Sequence, residues 1–305
     1  MNSNKTVLRS HSDEDLLCVP GVCLGFRPEE SCVVVGVCSS EVAFCARCDL
    51  GWLEEEGARV LAQQILAASR ELEQVQFVVL GYTETPAAAE LVLTQVAVSL
   101  GLAVVDVLVA TASRYWRVTP TGLEPPEGMP WQEQDTNLLA TAVYHGIQVA
   151  ADREAVVVEV RPGVDQAEAE YLVSSAATYL KDLVAAERAD LLEFLLAGDS
   201  DLLPLEAAQV SVLVAEPEFA GWVVSSLGPK TANRFRRHLA AARRVCTPDL
   251  APGVLVLLAL ACWLSCQAAQ HTDCLAQLEA LAPGHRLLPM LRALHYSAVR
   301  PPDLG

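Results

Sequence analysis

Charged and aromatic side chains stand near the predicted ends of strands in the first half of this chain. The set consists of Arg27, Arg47, Asp49, Tyr82, Glu84, Arg114, Trp116 and Glu127. Because ligands of α/β proteins bind beside the carboxyl ends of strands, the set predicts a small-ligand pocket there. The carboxylates have no spacing that would assign a general acid and a general base, so the pattern indicates no particular reaction.

Two interpretations of the stretch LGFRPEES, residues 24–31, stay open. In the structural interpretation, Gly25 permits a turn, Phe26 anchors the loop in the core, and Ser31 bonds the backbone where a strand begins. In the functional interpretation, Arg27 lines the pocket.

Motifs for nucleotide binding and for nucleophilic catalysis are missing from the sequence. The chain contains neither GxGxxG nor GxxxxGK, and it contains no GxSxG. None of its six histidines falls in the segments predicted to form the sheet, where a site on strand ends would lie. We therefore predict no cofactor and no catalytic residue, and the sequence leaves open whether the protein is an enzyme.

Two groups of cysteines have spacings that occur in metal sites. Cys45 and Cys48 form a CARC motif, but both fall in a predicted strand, where positions three apart point to opposite faces. The second group consists of Cys262, Cys266, His271 and Cys274. This group fits a tetrahedral zinc set on neighbouring helical turns, and it also fits the small core positions of apolar helices. Both alternatives stay open for the second group, and we assign no metal ligand.

Composition and charge restrict the class of partner. The chain has 305 residues, is 52% hydrophobic, and carries a formal net charge of −17, so it can bury a large core and has the length of about two domains. Residues 1–150 and 151–228 each sum to −11, whereas residues 229–305 sum to +5. Because an acidic body repels phosphates, nucleic acid is not the expected partner and no membrane contact is predicted.

A basic segment, residues 230–244, predicts a helix that carries four arginines, with Lys230 and Arg234 ahead of them, and two roles for it stay open. The arginines are Arg236, Arg237, Arg243 and Arg244. With Phe235 and Leu239 on the buried stripe, they are predicted to fan around the exposed remainder, where they bind a partner or phosphates. Pairing within the chain to the acidic segment 187–206 is the preferred role, and nucleic-acid contact is the weaker alternative.

The fold class follows from two hydrophobic periods. Strands are predicted at 32–37, 41–48, 74–82, 102–110 and 113–119, with helices at 54–72 and 86–101. This alternation predicts an α/β domain at 1–130, a mixed sheet with packed helices. The stretch 119–132 has four prolines and two glycines, so it is expected to be a loop or linker rather than a strand.

Residues 131–305 are predicted to form an all-helical domain. The last three predicted helices, 252–267, 271–282 and 285–296, resemble a tetratricopeptide-type pair followed by a capping helix. Segment 165–188 is predicted as one helix, whereas 156–160 reads equally as helix or strand. The longest apolar run is too short for a bilayer span, and the start of the chain has no apolar core between its charges. A cytoplasmic location is therefore expected, with the ten cysteines as reduced thiols.

Several motifs resemble one known family. They are the opening CVPGVCLGFRPEESCVVVGV with ARCDL after it, RYWRV followed by EPPEGMPW, and HLAAARRV leading to APGVLVLLALACWL. The chain resembles, over nearly its whole length, the uncharacterised actinobacterial family called domain of unknown function 4192. The resemblance implies a fold and a lineage but no activity, and the family's cysteine cluster before the PEG loop is replaced here by TPTGLE.

These observations lead to three hypotheses of function. The leading hypothesis is a non-catalytic cytosolic binding or scaffold protein with an unidentified protein partner, because no catalytic constellation is visible. The alternative is a small-ligand sensor or enzyme that uses the pocket at the strand ends. Nucleic-acid contact through the basic helix is the third and weakest hypothesis.

Overall fold

The chain forms two compact units, and a computed structural model describes residues 10, 12–39, 41–53 and 56–296 of it. The first unit covers residues 1–153 and the second covers residues 154–305. Residues 131–153 belong to the first unit by this division, whereas the sequence predicted a boundary after residue 130.

A mixed sheet forms the centre of the first unit, as the sequence predicted, and it has six strands rather than the five predicted. Its strands are β1 (Ser31–Cys38), β2 (Glu41–Asp49), β3 (Gln76–Tyr82), β4 (Val104–Ala110), β5 (Arg114–Thr119) and β6 (Gly122–Pro130). They lie in the order β2-β1-β3-β4-β5-β6. Only β3 and β4 pair in parallel, and each of the other neighbouring pairs is antiparallel.

Strand β1 is buried on both faces because helices cover both sides of the sheet. Cys32 and Val34 face one core, whereas Val33 and Val35 face the other. A continuous apolar run is what such a doubly covered strand requires. The predicted hairpin with β2 is confirmed by the register of Cys32 opposite Cys48; Ser40 of its predicted turn lies outside the described residues.

Helices α2 (Gly57–Ala68) and α3 (Pro86–Leu100) cover the first face of the sheet. Their buried stripes include Ile65 of α2 and Leu93 of α3, at the helical spacing that the sequence showed. Helix α3 carries the crossover between the parallel strands β3 and β4. Glu54 and Glu55, which were predicted to begin α2, lie outside the described residues.

Helix α1 (Asp13–Leu24) covers the opposite face together with α4 (Asn137–Tyr144). The sequence analysis did not predict α1, although its capping signals are present. The Ser12 hydroxyl accepts a hydrogen bond from the backbone N–H of Asp15, and Gly25 ends the helix with a φ of 79°. The Asp15 carboxylate in turn accepts a hydrogen bond from the Leu138 N–H in the first turn of α4, at 3.0 Å.

The proline-rich stretch 119–132 was expected to be a loop, and this prediction is wrong. Most of it is strand β6, which pairs with β5 at the edge of the sheet. An edge strand tolerates proline because the N–H groups on its outer side have no ladder partner. The pairing also has an irregularity opposite Tyr115–Arg117, and Pro125 and Pro126 fall in that part of β6.

Among the described residues, one helix is long and apolar enough to cross a membrane by length and composition, and it consists of α3 with the turn that follows it, Pro86–Ala103. Core helices also meet this criterion. The inner side of α3 packs against the sheet, whereas Leu91 and Val98 are exposed on its outer side.

The described residues of the second unit form helices and the turns that connect them, and they include no strand. Its helices are α5 (Arg153–Val157, beginning at the boundary), α6 (Gln166–Lys181), α7 (Ala185–Ala197), α8 (Pro204–Leu213), α9 (Pro217–Ser226), α10 (Ala232–Val245), α11 (Ala251–Leu264), α12 (Ala268–Leu281) and α13 (Leu288–Tyr296). The core surrounds α11, whose Leu255 and Leu258 are fully buried. The predicted last three helices correspond to α11, α12 and α13, and they pack against one another.

Two details of the helical prediction change. Segment 165–188 is not one helix, because α6 ends at Lys181 and α7 begins at Ala185. The Glu187 carboxylate accepts a hydrogen bond from the Val184 N–H at 3.0 Å, which satisfies a free donor at the start of α7. The ambiguous segment 156–160 is helical, with the end of α5 followed by a 3-10 turn.

The close approach of β6 to β5 generates a prediction about Gly128. This residue has a φ of 71°, and a Cβ atom added to it would lie 2.4 Å from Cε2 of the Trp116 indole. We expect Gly128→Ala to lower the free energy of unfolding by roughly 2–4 kcal/mol, since it adds left-handed backbone strain to overpacking. Urea denaturation measures the change.

The matched control for Gly128 is Gly51→Ala. A Cβ atom at Gly51 meets nothing within 4 Å, so the expected change is within about 0.5 kcal/mol. Equal stability of the two variants would contradict the contact between Gly128 and Trp116.

Candidate functional site

A cavity of about 480 Å³ opens at the carboxyl ends of β3 and β4 in the first unit. Its lining residues are Leu17, Gly21, Arg27, Pro28, Glu29, Glu30, Tyr82, Thr83, Glu84, Ala110, Thr111, Ala112, Trp131, Glu133 and Gln134. Two parallel strands end side by side here, and their chains then diverge toward α3 and β5. Such a divergence leaves a crevice at the edge of the sheet, which is the usual place for ligands in α/β folds.

Arg27 and Glu133 form an ion pair in the wall of the cavity. The Nε atom of Arg27 lies 2.5 Å from a carboxylate oxygen of Glu133. Two features position Arg27: the neighbouring Phe26 is buried, and its own N–H donates to the Ala150 carbonyl oxygen at 3.1 Å. Burial raises the pKa of the Glu133 carboxyl, and the guanidinium of Arg27 partly opposes this rise.

Glu30 connects the start of β1 to the end of β3. Its carboxylate accepts hydrogen bonds from the Thr83 hydroxyl at 2.9 and 3.0 Å and from the Glu84 N–H at 3.3 Å. Its φ of 40° lies in the left-handed region that residues other than glycine rarely adopt. These hydrogen bonds hold a strained backbone at the rim of the cavity.

Glu84 and Tyr82 also contribute to the cavity, in different ways. The Glu84 carboxylate accepts a hydrogen bond from the Ala112 N–H at 3.2 Å, so it joins the two chains that leave β3 and β4. The Tyr82 hydroxyl donates to the Leu17 carbonyl oxygen of α1 at 2.7 Å. Burial raises the pKa of the Tyr82 phenol well above its ordinary value, so Tyr82 acts as a neutral donor.

Three of the eight predicted pocket residues, Arg27, Tyr82 and Glu84, line the cavity. Arg47 and Asp49 pair with each other on the edge strand β2, and Arg47 also donates to the Ser31 hydroxyl at 2.9 Å. Neither of them is among the lining residues.

The other three predicted pocket residues hold β5 and β6 together. Arg114 donates to the backbone carbonyl oxygens of Glu127 and Gly128, at 2.8 and 3.1 Å. Trp116 belongs to the core on the α2 and α3 face. These residues therefore stabilise the sheet edge instead of lining the cavity.

Sequence reasoning missed Glu29, Glu30, Thr83 and Glu133 as lining residues. Glu29 and Glu30 stand in the LGFRPEES stretch, immediately before a strand, so their position was a usable signal. Glu133 follows the stretch 119–132, which was predicted to be a loop. Because that stretch is mostly strand β6, the chain returns along the sheet and places Glu133 in the cavity.

A second cavity of about 440 Å³ shares Trp131 with the first as a lining residue. It is also lined by the acidic residues Glu14, Asp15 and Asp135. The Trp131 indole N–H donates to the Thr111 carbonyl oxygen at 3.0 Å, which holds the ring against the end of β4.

The cysteine positions separate as the strand period predicted. Cys45 packs against the core on the α1 face and Cys48 packs against the opposite core. In the second group, Cys262 and Cys274 are fully buried, Cys266 is exposed, and Nδ1 of His271 lies 2.8 Å from the Ala259 carbonyl oxygen. The part of the chain that the structure describes has no group of three or more His, Cys, Asp or Glu side chains able to hold a metal ion.

The arginines of α10 have partners within the second unit. Arg236 contacts Glu159 and Gln270, and Arg237 lies 3.8 Å from Asp201. Arg244 donates to the Val158 carbonyl oxygen at 3.3 Å. Arg237 thus contacts the acidic segment 187–206, whereas the partners of Arg236 and Arg244 lie outside that segment.

The expectation that all four arginines are exposed is wrong for Arg243. This side chain is buried and donates to the Gln277 amide oxygen of α12 at 2.9 Å. Helix α10 is packed between several helices, so its polar positions are not all on the surface.

Fold and site together define the class of protein. It has an α/β unit, with a cavity at the carboxyl ends of two parallel strands, and an all-helical unit. The chain belongs to the family described as Domain of unknown function (DUF4192), whose model matches residues 15–302. This match confirms the resemblance seen in the sequence motifs. Comparison with curated proteins finds no match, and comparison with solved structures finds none.

The pair of Arg27 and Glu133 generates a pH prediction. Without Arg27, the pKa of Glu133 rises further, so burying the charged carboxylate costs more once the pH exceeds that pKa. We expect Arg27→Ala to leave stability almost unchanged in acid, where Glu133 is protonated. At neutral pH it should lower stability by at most about 1 kcal/mol, because half of Arg27 is exposed.

Urea denaturation of Arg27→Ala and of the wild type, in acid and at neutral pH, measures the change in stability at each pH. Arg59→Ala is the matched control, because Arg59 pairs with Glu56 on the open surface. If the loss in free energy of unfolding caused by Arg27→Ala did not grow with pH, the coupling between Arg27 and Glu133 would be disproved.

Proposed function

We propose that the first unit binds a small, positively charged ligand in the cavity at the carboxyl ends of β3 and β4. The observation that carries this proposal is the cavity itself, whose volume of about 480 Å³ lies within the range of small-molecule sites. Helix α1 and the ends of β3 and β4 form much of the wall of the cavity. Because these elements are regular secondary structure, the binding site exists before a ligand arrives.

The charges of the lining residues support a cationic ligand. Glu29, Glu30, Glu84 and Glu133 contribute four carboxylates, whereas Arg27 is the single cation among the lining residues and already pairs with Glu133. A cleft lined mainly by one sign of charge raises the local concentration of ligands of the opposite sign. The Trp131 ring offers a further favourable contact for an ammonium or guanidinium group.

The lining residues favour binding over a reaction. They include no histidine, cysteine or serine, of which histidine is the commonest general base and the other two are common nucleophiles. The carboxylates of Glu30 and Glu84 accept hydrogen bonds from the backbone of the strand ends, so they are held as fixed acceptors. The proposed role is therefore ligand binding without catalysis, and a protein of this kind can act as a sensor of its ligand.

The protein-binding or scaffold role stays a prediction, as do the cytoplasmic location and the actinobacterial lineage. Small-ligand binding takes the first place because a specific cavity supports it. Nucleic-acid contact gains no support, because Arg236, Arg237, Arg243 and Arg244 have partners within the second unit.

A ligand panel tests the proposal by thermal shift and calorimetry. The panel contains polyamines, guanidines and amino sugars, with nucleotides, neutral sugars and dicarboxylates as the contrasting classes. We expect stabilisation by members of the cationic classes alone. It should reach about 2.7 kcal/mol when the ligand is at 100 times its Kd.

Charge variants identify the site of binding. Glu29→Gln removes one lining carboxylate at an exposed position, and should weaken binding roughly tenfold, or by about 1.4 kcal/mol. Glu193→Gln removes an exposed carboxylate of α7, outside the cavity, and should leave the affinity unchanged. Stabilisation by anions, or equal effects of the two variants, would refute a cation site in this cavity.

A further inference from the structure

The second cavity of the first unit resembles the proposed ligand cavity in size and in charge. Its volume is about 440 Å³, which lies within the range of small-molecule sites. Glu14, Asp15 and Asp135 contribute three carboxylates to its wall, and none of the described residues that line it is basic. The first unit therefore has two cavities of ligand size, and the charge of each favours a cation.

The two cavities are adjacent because two short segments contribute to the walls of both. Trp131 lines both cavities, and after it Glu133 lines the first cavity whereas Asp135 lines the second. In the segment that follows β4, Ala112 lines the first cavity and Ser113 lines the second. Trp131 therefore lies at the junction between the two cavities.

Trp131 has a fixed position at this junction. Its backbone N–H donates to the Ser113 carbonyl oxygen at 3.0 Å, and its indole N–H donates to the Thr111 carbonyl oxygen at 3.0 Å. The half-buried ring also packs against the core on the α1 face of the sheet. Because an indole ring attracts both methylene groups and cations, it suits the middle of an extended cationic ligand.

The carboxylates of the second cavity are arranged like those of the first. The Tyr115 hydroxyl donates to the Glu14 carboxylate at 3.1 Å, and the Leu138 N–H donates to the Asp15 carboxylate at 3.0 Å. These hydrogen bonds hold Glu14 and Asp15 in place, as the strand ends hold Glu30 and Glu84 in the first cavity. Each cavity also has one carboxylate on an exposed residue, which is Glu29 in the first cavity and Asp135 in the second.

We propose that the two cavities together bind one extended aliphatic polyamine. One ammonium group lies in each cavity, and the methylene chain between them crosses Trp131. This inference rests on the proposed function, because it takes the cation bound in the first cavity as one end of the ligand. It adds the second cavity to the site and makes the distance between two cationic groups the property that the protein recognises.

A single extended ligand suits two adjacent acidic cavities better than two separate cations do. Once one ammonium group is bound, the chain holds the second near the other cavity at a high effective concentration. This gain is absent when the chain is too short to span both cavities, largest when its length matches the span, and smaller for longer chains. The length of the ligand should therefore decide its affinity.

A series of α,ω-diamines of increasing length tests the proposal on the full chain. Calorimetry measures the Kd and the stoichiometry for each diamine, and for the monoamine with the same number of carbon atoms. We expect one diamine to bind per chain at the optimal length, roughly tenfold more tightly than the matched monoamine. Diamines too short to reach both cavities should lose most of this gain.

Two variants assign one end of the diamine to each cavity. Glu29→Gln removes the exposed carboxylate of the first cavity and Asp135→Asn removes that of the second, and each should weaken binding of the optimal diamine roughly tenfold. Asp190→Asn changes an exposed carboxylate of α7, outside both cavities, and should leave the Kd unchanged. Thermal denaturation checks that each variant is folded, and the length series on the wild type decides the proposal if one is not.

The possible outcomes separate this inference from the proposed function. Equal affinity for monoamines and for diamines of every length, or two diamines per chain, would overturn the bridging and leave a cation site in the first cavity. An unchanged Kd in Asp135→Asn, together with weaker binding in Glu29→Gln, would have the same meaning. If no cation bound to the chain, both the inference and the proposed function would be overturned.

Discussion

The parallel pairing of β3 and β4 is the constraint on which the first unit depends. Two parallel neighbours deliver their chains to the same edge of the sheet, and α3 must carry the first chain back along one face. Where the chains diverge, backbone N–H groups lose their ladder partners and need others. Glu30 accepts from the Glu84 N–H, and Glu84 accepts from the Ala112 N–H. Two of the carboxylates that line the cavity, Glu30 and Glu84, thus also complete the end of the sheet.

Because Glu30 and Glu84 both line the cavity and accept backbone hydrogen bonds, the cavity is acidic and these side chains still have fixed positions. A carboxylate that receives backbone hydrogen bonds is held in one place and keeps unused acceptor positions for a ligand. Glu133 is different, because its main partner is the guanidinium of Arg27 and burial raises its pKa. The cavity therefore contains fixed acceptors beside one carboxylate whose charge depends on a single ion pair. A cationic ligand would compete with Arg27 for Glu133 and would find Glu30 and Glu84 already in position.

The second unit uses its charges in a different way. Its basic helix α10 is a packed element, and its guanidinium groups satisfy acceptors on neighbouring helices and turns, as Arg243 does with Gln277. Buried polar groups of this kind need partners wherever they occur. A run of arginines in a sequence is therefore compatible with an exposed surface or with a network between helices, and the residues packed around the helix decide between them.

The sequence by itself determined that the chain has a mixed sheet with packed helices followed by a helical part. Hydrophobic periodicity and helix-capping residues carry this information, because each depends only on residues close in sequence. Most of the strands, the β1–β2 hairpin and the opposite faces of Cys45 and Cys48 follow from this information. Only the tertiary structure decided that the proline-rich stretch becomes the edge strand β6, because whether an N–H needs a partner depends on what lies beside the strand. It also decided that Arg114 holds the backbone of β6 whereas Glu133 reaches the cavity. Those positions are set by the order of strands in the sheet, and residues far apart in sequence establish that order together.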